Sequence, residues 1–144
     1  MAFPPGGYWA NMAPSTQLPP EEQPLPTPFN VVFALYPHIT QLDFTGPYEV
    51  LTRLPGAKCV LASVEGGDLE VDAVMRFTGL RRLDSIDACD LLCVPGGFGT
   101  VAAVEDQAYL AALRRLGAKA RFITSVCTGS LLLAPSVMSN SSLM

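Results

Sequence analysis

Cys127 joins two unlike runs: the β-prone Phe122-Ile123-Thr124-Ser125-Val126 before it and the helix-compatible Thr128-Gly129-Ser130-Leu131-Leu132-Leu133 after it. The pattern predicts a strand-to-helix turn with a thiol at its apex. The unbonded N–H groups of a helix's first turn favour an anion, and thiolate is the reactive form of cysteine. The chemistry this arrangement suits is nucleophilic attack. The competing reading is a small buried apolar residue, since cysteine is among the most buried types. The stretch alone leaves both open.

Two further segments carry candidate groups. In Thr40-Gln41-Leu42-Asp43-Phe44-Thr45-Gly46-Pro47, Asp43 stands close to a helix start, where a carboxylate is stabilised. A simple cap or loop acid is the plain alternative. The loop Pro95-Gly96-Gly97-Phe98-Gly99-Thr100 contains Gly97-x-Gly99-x-x-Ala102, a loosened form of the dinucleotide fingerprint. That fingerprint needs an acid about twenty positions on to hold the ribose, and no Asp or Glu follows Asp106. A nicotinamide site is therefore rejected. The glycines read either as a loop whose backbone N–H groups face a ligand or as ordinary turn chemistry.

Metal chemistry fits poorly. Cys89-x-x-x-Cys93 offers two thiols, but His38 is the sole histidine and no further ligands stand at suitable spacing. Neither metal nor cofactor is expected. A lone histidine in the loop after the first strand also gives no papain-like Cys–His pair. Asp43 is left as the natural partner for Cys127.

The elements that must position these groups follow from apolar runs and turn residues. Val31-Val32-Phe33-Ala34-Leu35-Tyr36 is a continuous run of the kind expected of a strand buried on both faces. Thr45-Gly46-Pro47 is expected to open a helix through Leu54, with proline in the first turn where its missing N–H costs nothing. Lys58–Val64 reads as the second strand and Leu91–Val94 as a short buried one, while Leu69–Val74 makes a weak hairpin strand. Leu110, Leu113 and Leu116 recur at helical spacing, with Asp106 as cap and Gly117 expected just past the end. Arg114, Arg115 and Lys119 read as a solvated helix terminus. Ala120–Val126 then leads as a strand into Cys127. Strands alternating with helices predict an α/β fold, with a mainly parallel sheet and a ligand site beyond the strands' carboxyl ends.

Composition narrows the function classes. Net charge is −4 and the sequence pI about 4.8, which argues against binding nucleic acid through its phosphates. The four cysteines fall mostly in strand-like runs and suggest free thiols in a reducing compartment. The first basic residue is Arg53, so the charged start of a secretory leader is missing, and no apolar run suffices to span a bilayer. The expectation is a soluble, cytoplasmic protein with no membrane or nucleic-acid partner. Residues 1–28 hold eight of the 13 prolines and are expected to be a disordered tail. The folded domain is expected over 29–134. Pro135 is expected to stop the last helix, leaving 135–144 as a disordered polar tail.

Taken together, Phe33-Ala34-Leu35-Tyr36-Pro37, Thr40–Pro47, Val94-Pro95-Gly96-Gly97 and Thr124–Ser130 resemble the DJ-1/PfpI superfamily in order and spacing, and within it the isonitrile (isocyanide) hydratases. The resemblance covers about residues 30–134. It implies a flavodoxin-like three-layer sandwich, similar to the class I glutamine amidotransferases and usually homodimeric. In the hydratase branch, a lyase, the substrate is a small isocyanide, hydrated to an N-substituted formamide. By resemblance Cys127 matches the nucleophile and Asp43 the acid, and the N–H groups of Gly97 and Thr128 would face developing negative charge. Relatives continue beyond the elbow helix, so the resemblance also implies an incomplete sheet with exposed apolar faces. Two other readings stay open: a ligand sensor like that of AraC-type regulators, without their helix-turn-helix region, and a paralogue that binds without turnover.

Overall fold

The protein is described by a computed structural model over residues 25–137. The readings of residues 1–24 and 138–144 as disordered tails fall outside those residues. At the centre lies β1 (Phe29–Ala34), in which every residue but Asn30 is buried. On one side it pairs in parallel with β2 (Ala57–Ser63), and on the other with β5 (Leu91–Val94). A strand flanked by neighbours and covered on both faces has no solvent side, which is why its sequence is apolar without alternation. β6 (Phe122–Ser125) adds in parallel beyond β5; β4 (Arg76–Arg82) joins β2, and β3 (Gly67–Glu70) runs antiparallel to β4. The sheet order is β3-β4-β2-β1-β5-β6.

Helices cover both faces, and the short α2 (Thr100–Ala103) follows β5. α1 (Gln41–Leu51) lays Phe44 and Tyr48 on Phe33, with ring centroids 5.3 and 5.7 Å apart, and Phe44 also meets Phe77 at 5.2 Å. Tyr36, an odd number of residues beyond Phe33, meets Tyr109 of α3 (Gln107–Gly117) at 5.4 Å. Side chains alternate along an extended chain, so α1 and α3 lie on opposite faces of the sheet. α3 buries Tyr109, Leu110, Leu113 and Leu116, and a fully buried leucine of this kind contributes about 2 kcal/mol. It packs in turn on α4 (Ser130–Val137). The result is the expected flavodoxin-like α/β sandwich. β6 ends the sheet, and between it and α1 runs an apolar groove of about 560 Å³, lined by Pro47, Val50, Leu51, Phe122 and Ile123.

Several expectations are corrected. α1 begins at Gln41, so Pro47 lies inside it. Proline normally drives the preceding residue out of the helical region through its Cβ, but that residue is Gly46, which has none. Asp43 therefore belongs to the helix's first turn. β4 has only Leu80 buried, and so offers no apolar pattern from which to read it. Gly117 is still helical, and Ala118 is the C-cap. Arg115 is not simply solvated: it is half-buried and donates to the backbone oxygens of Ile86 and, at 2.7 Å, Leu83. Lys119 donates to Asp87 O at 2.9 Å. Together they clamp the loop before β5. Pro135 does not end α4, which runs to Val137 with Ser136 fully buried and its hydroxyl donating to Leu132 O. The folded domain thus extends past residue 134.

Candidate active site

The elbow is built as its residue order implies, with one feature that order does not disclose. β6 stays attached to β5 through its last residues, Val126 N–H donating to Val94 O at 3.0 Å. Cys127 then takes φ 53°, starting a tight 3-10 turn (Cys127–Gly129) that runs into α4. A side chain in this left-handed region costs on the order of 1–3 kcal/mol, and such residues concentrate at functional sites. The turn is held against the sheet by Gly129, where a Cβ would lie 2.3 Å from Val94 O and 2.8 Å from Pro95 O. The buried-thiol alternative fails for Cys127, which is exposed, and describes Cys89 and Cys93, which are buried. Burial pushes each of those two thiols up to about 11. At pH 8 only about one part in a thousand of each is thiolate. Brief iodoacetamide treatment at that pH is expected to label Cys127 first, read by peptide mass spectrometry. Equal labelling of Cys93 would contradict the exposure assigned here.

Beside the elbow, three loops at the carboxyl ends of the parallel strands converge on Gly96. A Cβ there would lie 2.7 Å from Thr128 N, 2.8 Å from Thr128 Oγ1 and 2.9 Å from Asp43 Oδ2. Only a residue without a side chain lets these groups meet. The loops are tied by backbone bonds: Thr40 N–H donates to Gly96 O (2.9 Å) and Gly99 N–H to His38 O (3.0 Å). Asp43 Oδ2 is buried with no hydrogen-bond partner among the described residues. An unsatisfied buried acceptor is uncommon and marks where a ligand or water donor belongs. Of the two N–H groups expected to face developing charge, that of Thr128 lies at this convergence. That of Gly97 is engaged, donating to Thr128 Oγ1 at 3.1 Å.

Two residues of this site escaped the sequence reading. Tyr36 is buried, and its hydroxyl donates to Pro95 O at 2.8 Å and lies 3.0 Å from Thr100 Oγ1. Thr100 Oγ1 lies 2.9 Å from Thr128 Oγ1. Burial raises the Tyr36 phenol above its usual range and outweighs the opposing Thr100 bond, while the charges of Asp43 and Cys127 push it the same way. A buried tyrosine at a strand's carboxyl end needs a hydroxyl partner, which was the available signal. His38 is exposed at φ 62°, its backbone bonded to Glu70 and Gly99. A cavity of about 400 Å³ lined by Tyr36, His38, Glu65, Arg76 and Tyr109 lies at the ends of β1 and β2, and Cys127 does not line it. Among the described residues no three His, Cys, Asp or Glu side chains group as for a metal, and no helix is long and apolar enough to cross a membrane.

Comparison with known proteins agrees with this geometry. An isonitrile hydratase of Pseudomonas putida is 38% identical over 101 residues, which are 70% of this chain and 44% of that protein. The crystal structure of a ThiJ/PfpI family protein from Pseudomonas syringae superposes with a TM-score of 0.72 at 28% identity, over 85% of this chain and 54% of the other. Drosophila melanogaster DJ-1beta shares the fold, with a TM-score of 0.63 at 22% identity over 74% of this chain and 59% of the other. This chain thus spans about half the length of the relatives it matches. The DJ-1/PfpI family matches residues 30–143. With a parallel sheet of this order, a strained cysteine at its elbow and a sequence match over most of its length, the chain belongs to the DJ-1/PfpI family.

Proposed function

We propose that the site hydrates an isocyanide to an N-substituted formamide, with Cys127 as nucleophile. The observation that carries this reading is the meeting of Asp43 Oδ2 and Thr128 N at Gly96, next to an exposed cysteine in a strained turn. The 38% identity to an isonitrile hydratase supports the choice of substrate class. Cys127 thiolate attacks the isocyanide carbon, forming a C–S bond, and that carbon takes a proton delivered through Asp43 to give a thioimidate. Water then adds to the same carbon, its proton leaving through Asp43 toward the nitrogen. The C–S bond breaks as the adduct's hydroxyl proton passes to Asp43, which releases the formamide, restores the thiolate and returns the proton that Asp43 delivered to carbon. Thr128 N–H faces the negative charge that develops as water adds. The balance is one isocyanide and one water to one formamide, with no redox partner.

The test is to incubate the purified 144-residue chain with an aromatic isocyanide and follow formamide by chromatography. Turnover supports the reading; saturable binding with no product replaces it with a binding role, and neither binding nor product overturns both. Asp43→Asn keeps the shape at Gly96 but removes the proton carrier. It is expected to lower kcat by about 10²–10⁴-fold, the usual worth of a positioned acid or base, with KM little changed. Wild-type kcat in this variant would remove Asp43 from the mechanism.

A further inference from the structure

We propose that the cavity of about 400 Å³ at the carboxyl ends of β1 and β2 is a second binding site, for a small organic amine that carries a hydroxyl on an apolar body. The floor of the cavity is buried and apolar: Leu35, Tyr36, Leu69 and Tyr109 are between 0 and 4% exposed. Both phenols turn their hydroxyls to the backbone, Tyr36 to Pro95 O at 2.8 Å and Tyr109 to Ala34 O at 2.7 Å, so the cavity meets ring carbon. Its walls are tied before any ligand enters, because His38 N–H, in the loop after β1, donates to Glu70 O of β3 at 3.0 Å. A preformed apolar cleft of this size, with a few polar groups converging on it, is the usual form of a small-molecule site. Cys127 is not part of its lining. Nothing in the hydration chemistry uses it.

Two polar features name the ligand. Ser63, at the end of β2, lines the cavity and is 4% exposed. Its hydroxyl accepts Gly66 N–H at 3.0 Å and gives its own hydrogen to no acceptor among the described residues. A buried hydroxyl with an unspent hydrogen calls for an acceptor from a ligand. The second feature is charge. Four carboxylates, Glu65, Asp68, Glu70 and Asp106, line the cavity against the Arg76 guanidinium and the His38 imidazole. Glu70 lies 4.0 Å from Arg76, and Asp106 accepts Tyr109 N–H. Glu65 and Asp68 have no ion pair within 4.0 Å among the described residues, and Arg82, whose charge feels Glu65, is already held by Asp84 at 2.7 Å. The surplus carboxylates repel an anion and attract an ammonium. Ring carbon on the floor, a hydroxyl donor beside it and carboxylates around them together suit a phenolic amine. Its oxygen accepts from Ser63 and its ammonium lies against Glu65 and Asp68.

The probe is tyramine, titrated calorimetrically into the 144-residue chain at low salt. Three analogues run beside it: phenethylamine lacks the hydroxyl, 4-hydroxyphenylethanol lacks the ammonium, and 3-(4-hydroxyphenyl)propionate reverses the charge. Tyramine is expected to saturate one site, about fivefold more tightly than phenethylamine, the worth of one net hydrogen bond. It should bind about tenfold or more tighter than the neutral alcohol, and the propionate should not bind. Glu65→Gln combined with Asp68→Asn changes two exposed side chains outside the core, and should weaken tyramine about fivefold while leaving the alcohol unchanged. Ser63→Ala should erase the preference for tyramine over phenethylamine with phenethylamine itself unaffected. Cys127→Ser should change none of these affinities. The proposal is overturned if tyramine does not saturate at millimolar concentration, if the alcohol binds as tightly as the amine, or if the carboxylate pair can be neutralised without effect. It is equally overturned if the tyramine preference survives Ser63→Ala, or if Cys127→Ser abolishes binding, which would put the amine at the elbow. Should Ser63→Ala fail to fold, the analogues and the carboxylate pair still decide. No formamide is measured, so this outcome is separate from that of the hydration reading.

Discussion

Cys127→Ser is expected to lower formamide production by about 10⁴-fold or more, the scale seen when a nucleophile is deleted from a site whose groups act together. The reason is ionisation. A thiol supplies some nucleophilic anion near neutral pH without a strong base, whereas a hydroxyl needs one. Nor do the buried thiols substitute, since burial holds Cys89 and Cys93 at about 11. The assay is formamide release under single-turnover conditions, where wild type should also show a transient covalent adduct by intact mass. A serine variant within tenfold of wild type would end the covalent mechanism. Stability should move differently. At φ 53°, Cys127→Gly removes a left-handed strain of about 1–2 kcal/mol and adds about 0.5–1 kcal/mol of unfolded-chain freedom. The glycine variant is therefore expected to be inactive, yet as stable as wild type or about 1 kcal/mol more so in urea. A marked loss of stability would mean that Cys127 holds the turn rather than being held by it.

Gly129→Ala is expected to damage the site through shape alone. The added methyl would sit 2.3 Å from Val94 O and 2.8 Å from Pro95 O. Both are backbone atoms at the end of β5, and Val94 O is also the acceptor that holds Val126. Neither can swing aside as a flexible side chain would, so the elbow must lift off the sheet. Overpacking of this kind costs about 1–3 kcal/mol. The same movement carries Cys127 and Thr128 away from Asp43 by a fraction of an ångström or more, and a displacement near 1 Å is worth on the order of 100-fold in rate. The expected result is a lower urea midpoint together with a loss of turnover on that order. Ser130→Ala, at the exposed next position, should stay within about 0.5 kcal/mol of wild type. A Gly129→Ala variant of native stability and rate would mean the contact between elbow and strand is looser than these distances.

What could be read from the chain alone is what neighbouring residues decide among themselves. The unbroken apolar run of β1 reflects burial on both faces. Asp106 caps α3 by accepting Tyr109 N–H at 3.0 Å, as its place before the leucine stripe implied. The β-run, cysteine and glycine order at Cys127 specified a strand, a turn and a helix. Each of these depends on periodicity or on a bond a few residues long. β4 was lost because its burial comes from one residue, Leu80, and its place from pairing with β2 and β3. Arg115 was misread because its partners, Leu83 and Ile86, are loop carbonyls about thirty residues earlier.

The candidate site divides along the same line. By itself the sequence determined which side chains were available, Cys127 and Asp43 with a glycine loop between them, because residue type and local turn chemistry are written in order along the chain. Tertiary structure decided that Cys127 is exposed and left-handed, that Gly96 is the point where Asp43 and Thr128 meet, and that Tyr36 reaches Pro95 and Thr100 across separations of 59 and 64 residues. Those facts arise only when the carboxyl ends of β1, β5 and β6 are set side by side. The distances and hydrogen-bond directions created there have no counterpart in the spacing of residues along the chain.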